Sequence, residues 1–90
     1  MVTGRATILN RLGLHARPAM SFVQTAMGFG CSVTVRRADG DETVDGKSIM
    51  QMLLVAGTAG TELEITCDGP DEDAAMAALL RLIARKFDEE

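Results

Sequence analysis

The stretch Glu62-Leu63-Glu64-Ile65-Thr66-Cys67 alternates strictly between polar and apolar residues, and its reading decides the fold. Side chains on a strand point to opposite faces with a period of two, so Leu63, Ile65 and Cys67 share one face and Glu62, Glu64 and Thr66 the other. Such a strand is covered on one side and wet on the other. Outward from it, Cys31, Val33 and Val35 alternate with Ser32, Thr34 and Arg36 in the same way. Near the start of the chain, Ala6 and Ile8 share a face opposite Arg5 and Thr7, within a strand predicted over residues 2 to 9. Ala38-Asp39-Gly40-Asp41 supplies turn chemistry before a short strand around Glu42 to Asp45, which makes the second and third strands a hairpin.

Between the strands the period lengthens to that of a helix. After the loop from Asn10 to His15, a helix begins at Arg17, with Ala19, Phe22, Val23, Ala26 and Phe29 at spacings of three and four. Pro18 falls in the first turn, where a helix tolerates it, and Gly28 or Gly30 provides the stop. Gly46-Lys47-Ser48 leads into a short apolar helix over about Ile49 to Val55, ended by Gly57 and Gly60. A last helix opens at Gly69-Pro70-Asp71-Glu72-Asp73, whose acids suit the positive end of the helix. Met76, Leu79, Leu80, Ile83 and Phe87 form its buried stripe, and Arg81, Arg85 and Lys86 load its later turns with positive charge. The order strand, helix, strand, strand, helix, strand, helix implies one four-stranded sheet. Strands with one apolar face need cover on one side only, so the three helices pack there as the second layer of a sandwich.

Ninety residues make one domain, 1–90, with no room for a second core. Hydrophobic residues at 47% and charged residues at 24% fit a soluble globular chain, its aliphatic core anchored by Phe22, Phe29 and Phe87. A net charge of −4, with nine Lys and Arg scattered along the chain, lacks the cationic stripe that a nucleic acid requires. The apolar run Met52-Leu53-Leu54-Val55-Ala56 is far too short to span a bilayer, and no basic leader precedes an apolar segment, so a cytoplasmic protein without membrane insertion is expected. Cys31 and Cys67 each occupy an apolar position in an alternating pattern, as small buried hydrophobes do, and a disulfide is conceivable only if their strands are neighbours. One histidine and two remote cysteines make no zinc site, so neither metal nor cofactor is implied.

That histidine, His15, stands in Gly13-Leu14-His15-Ala16-Arg17-Pro18-Ala19, immediately before a helix. The first amides of a helix have no partner within it and point at any anion placed there, so the N–H groups of Ala16 and Arg17 offer a phosphate site. A neutral imidazole nitrogen is nucleophilic near physiological pH, and a phosphoryl group bound through nitrogen stays reactive enough to be passed on. Arg17 adds a permanent cation whose planar donors match phosphate oxygens. Gly13 allows close approach of the loop, and Pro18 fixes the first turn. The bland alternative is a surface histidine that caps the helix beside a solvated arginine.

The heptapeptide resembles the active-site signature of the HPr family, the phosphocarriers of the bacterial phosphoenolpyruvate-dependent sugar phosphotransferase system. Gly46-Lys47-Ser48-Ile49-Met50 resembles the family's second signature, and the element order and length are similar over essentially the whole chain. The resemblance implies an α+β fold, an open-faced two-layer sandwich of a four-stranded antiparallel sheet with three helices on one face, βαββαβα. It implies that enzyme I, phosphorylated by phosphoenolpyruvate, passes the group to Nδ1 of His15, giving a pros-phosphohistidine, and that an enzyme IIA domain receives it. Arg17 would then stabilise the phosphate, while catalysis of each transfer is shared with the docked partner, so that the chain is a relay and not an independent enzyme.

A short helix lying on a sheet buries about half of its circumference, yet Ile49 to Val55 is apolar on nearly every side. Met52, Val55 and Ala56 can turn inward together, leaving Ile49, Met50 and Leu53 outward as a docking patch; the pattern alone equally allows all of them to fill the core. The resemblance favours the patch, with enzyme I and enzyme IIA using it in turn. Met20, one turn after Arg17, is a candidate to join it, although a helical methionine is more often core. Ser48 reads as a helix N-cap by its spacing, and resemblance to carriers controlled by HPr kinase/phosphorylase also makes it a regulatory phosphorylation candidate. Two other functions stay open: a nitrogen-type regulatory phosphocarrier that controls other proteins, and a non-phosphorylated module that holds an anion or an acidic partner. A monomer with weak, exchanging partners is expected.

Overall fold

The computed structural model describes residues 1–9, 11, 13–55 and 58–88. Its elements follow the predicted order: β1 (Val2–Thr7), α1 (Ala16–Met27), β2 (Ser32–Arg37), β3 (Thr43–Asp45), α2 (Ile49–Leu54), β4 (Glu62–Asp68) and α3 (Glu72–Ala84), then a single 3₁₀ turn over Lys86–Asp88. The strands form one antiparallel sheet in the order β1-β4-β2-β3. The stretch that announced the sheet, β4, is thus one of its two inner strands. Val2 faces Cys67 and Thr7 faces Glu62 across β1 and β4, while Val33 faces Cys67 and Val35 faces Ile65 across β2 and β4.

Alternation becomes a two-sided division of labour. Val33, Val35, Leu63, Ile65 and Cys67 are at most 1% exposed, beneath the helices. Each such side chain contributes about 1.5–3 kcal/mol by leaving water. Helix α3 lies on β1 and β4, α1 packs between α3 and α2, and α2 rests on β3 and α1. The open face carries the polar residues. There Arg36 donates to Glu64 at 2.9 Å, and Arg5 reaches Glu62 and Glu64 at 3.5 and 3.4 Å. Exposed pairs of this kind are worth about 0–1 kcal/mol each, so the sheet is held by its buried face.

Several boundaries depart from expectation for identifiable reasons. β1 stops at Thr7; Ile8 continues only as a fully buried residue that exchanges backbone hydrogen bonds with Gly60 and Thr61, and Leu9 is half exposed. α1 begins one residue earlier than predicted, at Ala16, and the short strand begins at Thr43. α2 ends at Leu54 with Val55 as its C-cap, and the expectations for Ala56 and Gly57 lie outside the described residues. On α3, Leu82 is buried where Leu80 was expected, because the helix rolls to lay Ala75, Leu79, Leu82 and Ile83 on the sheet, leaving Leu80 half-buried. Phe29 likewise packs against the core without being enclosed. Phe87 is buried, yet it is no part of the helical stripe: Lys86 and Phe87 both have left-handed backbone, at φ 58° and 56°. Such a conformation costs a non-glycine residue about 1–2 kcal/mol.

Cys31, just before β2, and Cys67, near the end of the neighbouring β4, are both free thiols, buried as small hydrophobes. Burial raises both, Cys67 to about 11. Nearby, Asp71 occupies the N-cap position of α3 but does not cap it. Its carboxylate accepts instead from the backbone N–H of Gly30 at 2.8 Å and of Cys31 at 2.9 Å, tying the exit of α1 to the entrance of α3. These two donors, that of Gly30 foremost, hold the Asp71 carboxyl below the usual range.

Candidate functional site

Gly13 enters the site at φ 74°, a left-handed conformation open to glycine without penalty. Leu14 then drops into the core at 2% exposure, which throws the next residue outward. His15 is the N-cap of α1, extended at φ −111° and ψ −164°, and half-buried. Its side chain makes no capping hydrogen bond, so the imidazole is not spent on closing the helix. Nε2 is the buried edge of the ring.

The helix start is ordered from below. Pro18 and Ala19 are buried, and the Ala19 N–H donates to the His15 carbonyl at 2.9 Å, closing the first turn. Pro18 has no N–H, so the first turn offers two donors, the amides of Ala16 and Arg17. That turn holds no acidic residue, which leaves its positive end uncompensated by its own side chains. Ala16 and Arg17 are exposed, so the guanidinium rises from the same turn as the amides. His15, Ala16 and Arg17 are therefore brought together, as the heptapeptide predicts.

The second predicted group lies on the adjacent helix. Ser48 is the N-cap of α2 and its Oγ accepts from the Gln51 N–H at 3.3 Å, which settles the structural half of its reading. Gln51 Oε1 accepts in turn from the Asp45 N–H, and Lys47 Nζ donates to the Phe29 carbonyl at 2.7 Å, fastening the start of α2 to the exit of α1. Met52 and Val55 point inward as expected. Met50 is 77% and Leu53 40% exposed, Ile49 is half-buried, and Met20 on α1 is 47% exposed. Two further apolar residues were missed: Leu54 at 69% and Met27 at 63%. A signal for each was present, since Leu54 follows Met50 by four residues and Met27 follows Met20 by seven, spacings that share a helix face.

A hollow of about 630 Å³ lies between Arg5, Ala38, Asp39 and the segment from Thr58 to Glu62, and its charged rim is already engaged in ion pairs. Among the described residues no three His, Cys, Asp or Glu converge as a metal set, and no helix is long and apolar enough to cross a membrane.

A histidine at an exposed helix start, with outward apolar residues on the adjacent helix of an open-faced sandwich, is an arrangement suited to exchange with a macromolecule that comes to it, and it places the chain in the class of small phosphoryl carrier domains. The family described as the PTS HPr component phosphorylation site matches residues 2–85. Phosphocarrier protein HPr of Pseudomonas aeruginosa is 47% identical over 83 residues, covering 92% of this chain and 91% of that one. Phosphocarrier protein HPr of Treponema pallidum is 43% identical over 90 residues, the full length of both. The crystal structure of HPr-C-His from Thermoanaerobacter tengcongensis superposes with a TM-score of 0.92 at 39% identity, covering 100% of this chain and 99% of that one. The chain belongs to the HPr family and is a phosphocarrier of the phosphotransferase system.

Proposed function

We propose that His15 is the phosphoryl acceptor, that enzyme I is its donor and an enzyme IIA domain its recipient, and that the chain turns over only within those complexes. The observation that carries this reading is the half-buried imidazole at the start of α1, which makes no capping hydrogen bond and stands on the same exposed turn as the Ala16 amide and Arg17. Nε2 is the buried edge of the ring, and Nδ1 is the nitrogen assigned to the transfer. Its lone pair attacks phosphorus as the donor's bond to phosphorus breaks; the amides of Ala16 and Arg17 and the Arg17 guanidinium then hold the phosphoryl oxygens. Positioning and charge neutralisation are most of what such a transfer needs, and the docked partner supplies the rest. Met50, Leu53, Ile49 and Met20 form the surface both partners use in turn, in the cytoplasm where both meet the carrier.

Incubation with phosphoenolpyruvate and enzyme I should give an acid-labile, alkali-stable phosphate on the protein, and His15→Ala should abolish it. Retention of that label by folded His15→Ala protein would sink the assignment. Arg17→Ala should slow uptake by about a hundred- to a thousandfold, the usual scale for losing a preorganised donor to a transferring group, with the circular dichroism spectrum unchanged. Delivery of the label to a sugar-specific enzyme IIA domain supports the sugar branch, whereas failure of wild-type protein to deliver it, despite normal uptake, points to the regulatory branch.

A further inference from the structure

Lys86 and Phe87 stand side by side in the left-handed region, and neither is glycine. Conformations of this kind persist where the surrounding structure over-determines them. Here the determinant is the Phe87 ring, 4% exposed in the same core cluster as Leu14 and Ala19, in a turn that packs on α1 as well as on α3.

Topology says which end of α1 it meets. β1 ends at Thr7 opposite Glu62, so α1 starts from the edge of the sheet at which β4 begins. α3 starts from the opposite edge, past Asp68, where Asp71 holds Gly30 and Cys31 at the exit of α1. The two helices are therefore antiparallel, and the residues following α3 arrive at the His15 end of α1. That end lacks a side-chain cap from its N-cap residue. Its position is set from beneath, by Leu14, Pro18, Ala19 and whatever packs with them.

We propose that Phe87 is a positioning residue for phosphoryl transfer at His15: the left-handed pair turns the chain back and sets the ring as a wedge under the first turn of α1, fixing the amides of Ala16 and Arg17 relative to the imidazole. The proposal rests on the reading of His15 as phosphoryl acceptor. Removing the wedge loosens the aim of the donors and leaves the α2 surface, which binds the partner, in place. Loss of aim is read in the rate of transfer within the complex, because small misplacements of reacting groups have large effects there.

The test measures phosphoryl uptake from enzyme I and phosphoenolpyruvate as a function of carrier concentration. Phe87→Ala should lower kcat about tenfold while leaving KM within about twofold, and Phe87→Leu should recover most of the loss. Wild-type kcat in a Phe87→Ala protein that is folded at the assay temperature would overturn the proposal, as would a loss confined to KM. If Phe87→Ala does not fold, Phe87→Leu decides: a kcat about threefold down at unchanged KM supports the wedge, and wild-type kcat with a lowered Tm overturns it. The His15→Ala control separates the two readings, since label on that variant defeats the acceptor assignment itself, whereas label lost there with full kcat in the Phe87 variants defeats the wedge alone.

Discussion

At Gly46 a missing side chain sets the position of the whole of α2. A Cβ there would stand 2.6 Å from Val33 Cγ1 and 3.2 Å from Phe22 Cε1, and the Gly46 N–H donates to the Val33 carbonyl at 2.8 Å. The chain entering α2 thus runs directly over two fully buried core residues, with no space for a methyl group. Gly46→Ala must push either the core or the loop aside, and overpacking of this kind costs about 1–3 kcal/mol. Urea denaturation should register that loss as a lower midpoint with an unchanged slope. Because the displaced loop carries Ser48 and the start of α2, the KM of enzyme I for the variant should rise while its kcat holds. Unchanged stability would mean that the loop is free to lift at no cost.

Six residues are too few for a helix to persist alone, so α2 exists because its ends are tied and one side is buried. Ser48 caps it, Gln51 and Lys47 bind it to β3 and to the exit of α1, and Met52 supplies the buried side. The outward Met50, Leu53 and Leu54 add little to stability, which supports the proposal that this surface meets a partner. Leu53→Asp should raise the KM for enzyme I about tenfold or more, the scale of a central interface residue, while stability shifts by no more than about 0.5 kcal/mol. A parallel loss of Tm would place Leu53 in the core instead. The same elements show what a sequence reveals. Strands and helices were legible because alternation and the spacing of three and four are local, and the proposed phosphoryl site is a candidate the sequence offers because its parts lie in seven consecutive residues. Illegible were the roll of α3 that buries Leu82 over Leu80, the Asp71 link across 40 residues to Cys31, and the left-handed turn at Phe87. Each depends on a partner distant in sequence, and the helical period at Phe87 runs on past the residue where the helix stops.

Taken as a whole, the molecule separates the proposed phosphoryl site from its fastening. His15 lies at one end of α1, and the carboxylates that tie the layers lie at the other: Asp71 on Gly30 and Cys31, and Glu72 on the Gly69 N–H and the N-terminal amine. Glu64 does the same for the open face through Arg36 and Arg5. All three carboxyls are lowered, Asp71 and Glu72 foremost by backbone donors and Glu64 foremost by Arg36. Their folded values lie below the unfolded ones of about 4, so their stabilisation is complete above about pH 5 and is lost as pH falls through the folded values. Cys67 sets the alkaline edge in the opposite sense. Burial raises it to about 11 in the folded chain, so its contribution is complete below the unfolded thiol value of about 8.5 and is lost as pH rises from there towards the folded value. Thermal melts should therefore show a plateau from about pH 5 to 8 that falls away on both sides. Asp71→Asn should lower Tm across that plateau, with the difference from wild type shrinking as pH falls through the lowered range of the folded carboxyl. Curves that stay parallel throughout the acid transition would remove Asp71 from it. Because the fastening is at the far end of α1, folded Asp71→Asn protein should still accept phosphate on His15 at the wild-type rate, and a slowed transfer would show that the two ends of the helix are coupled.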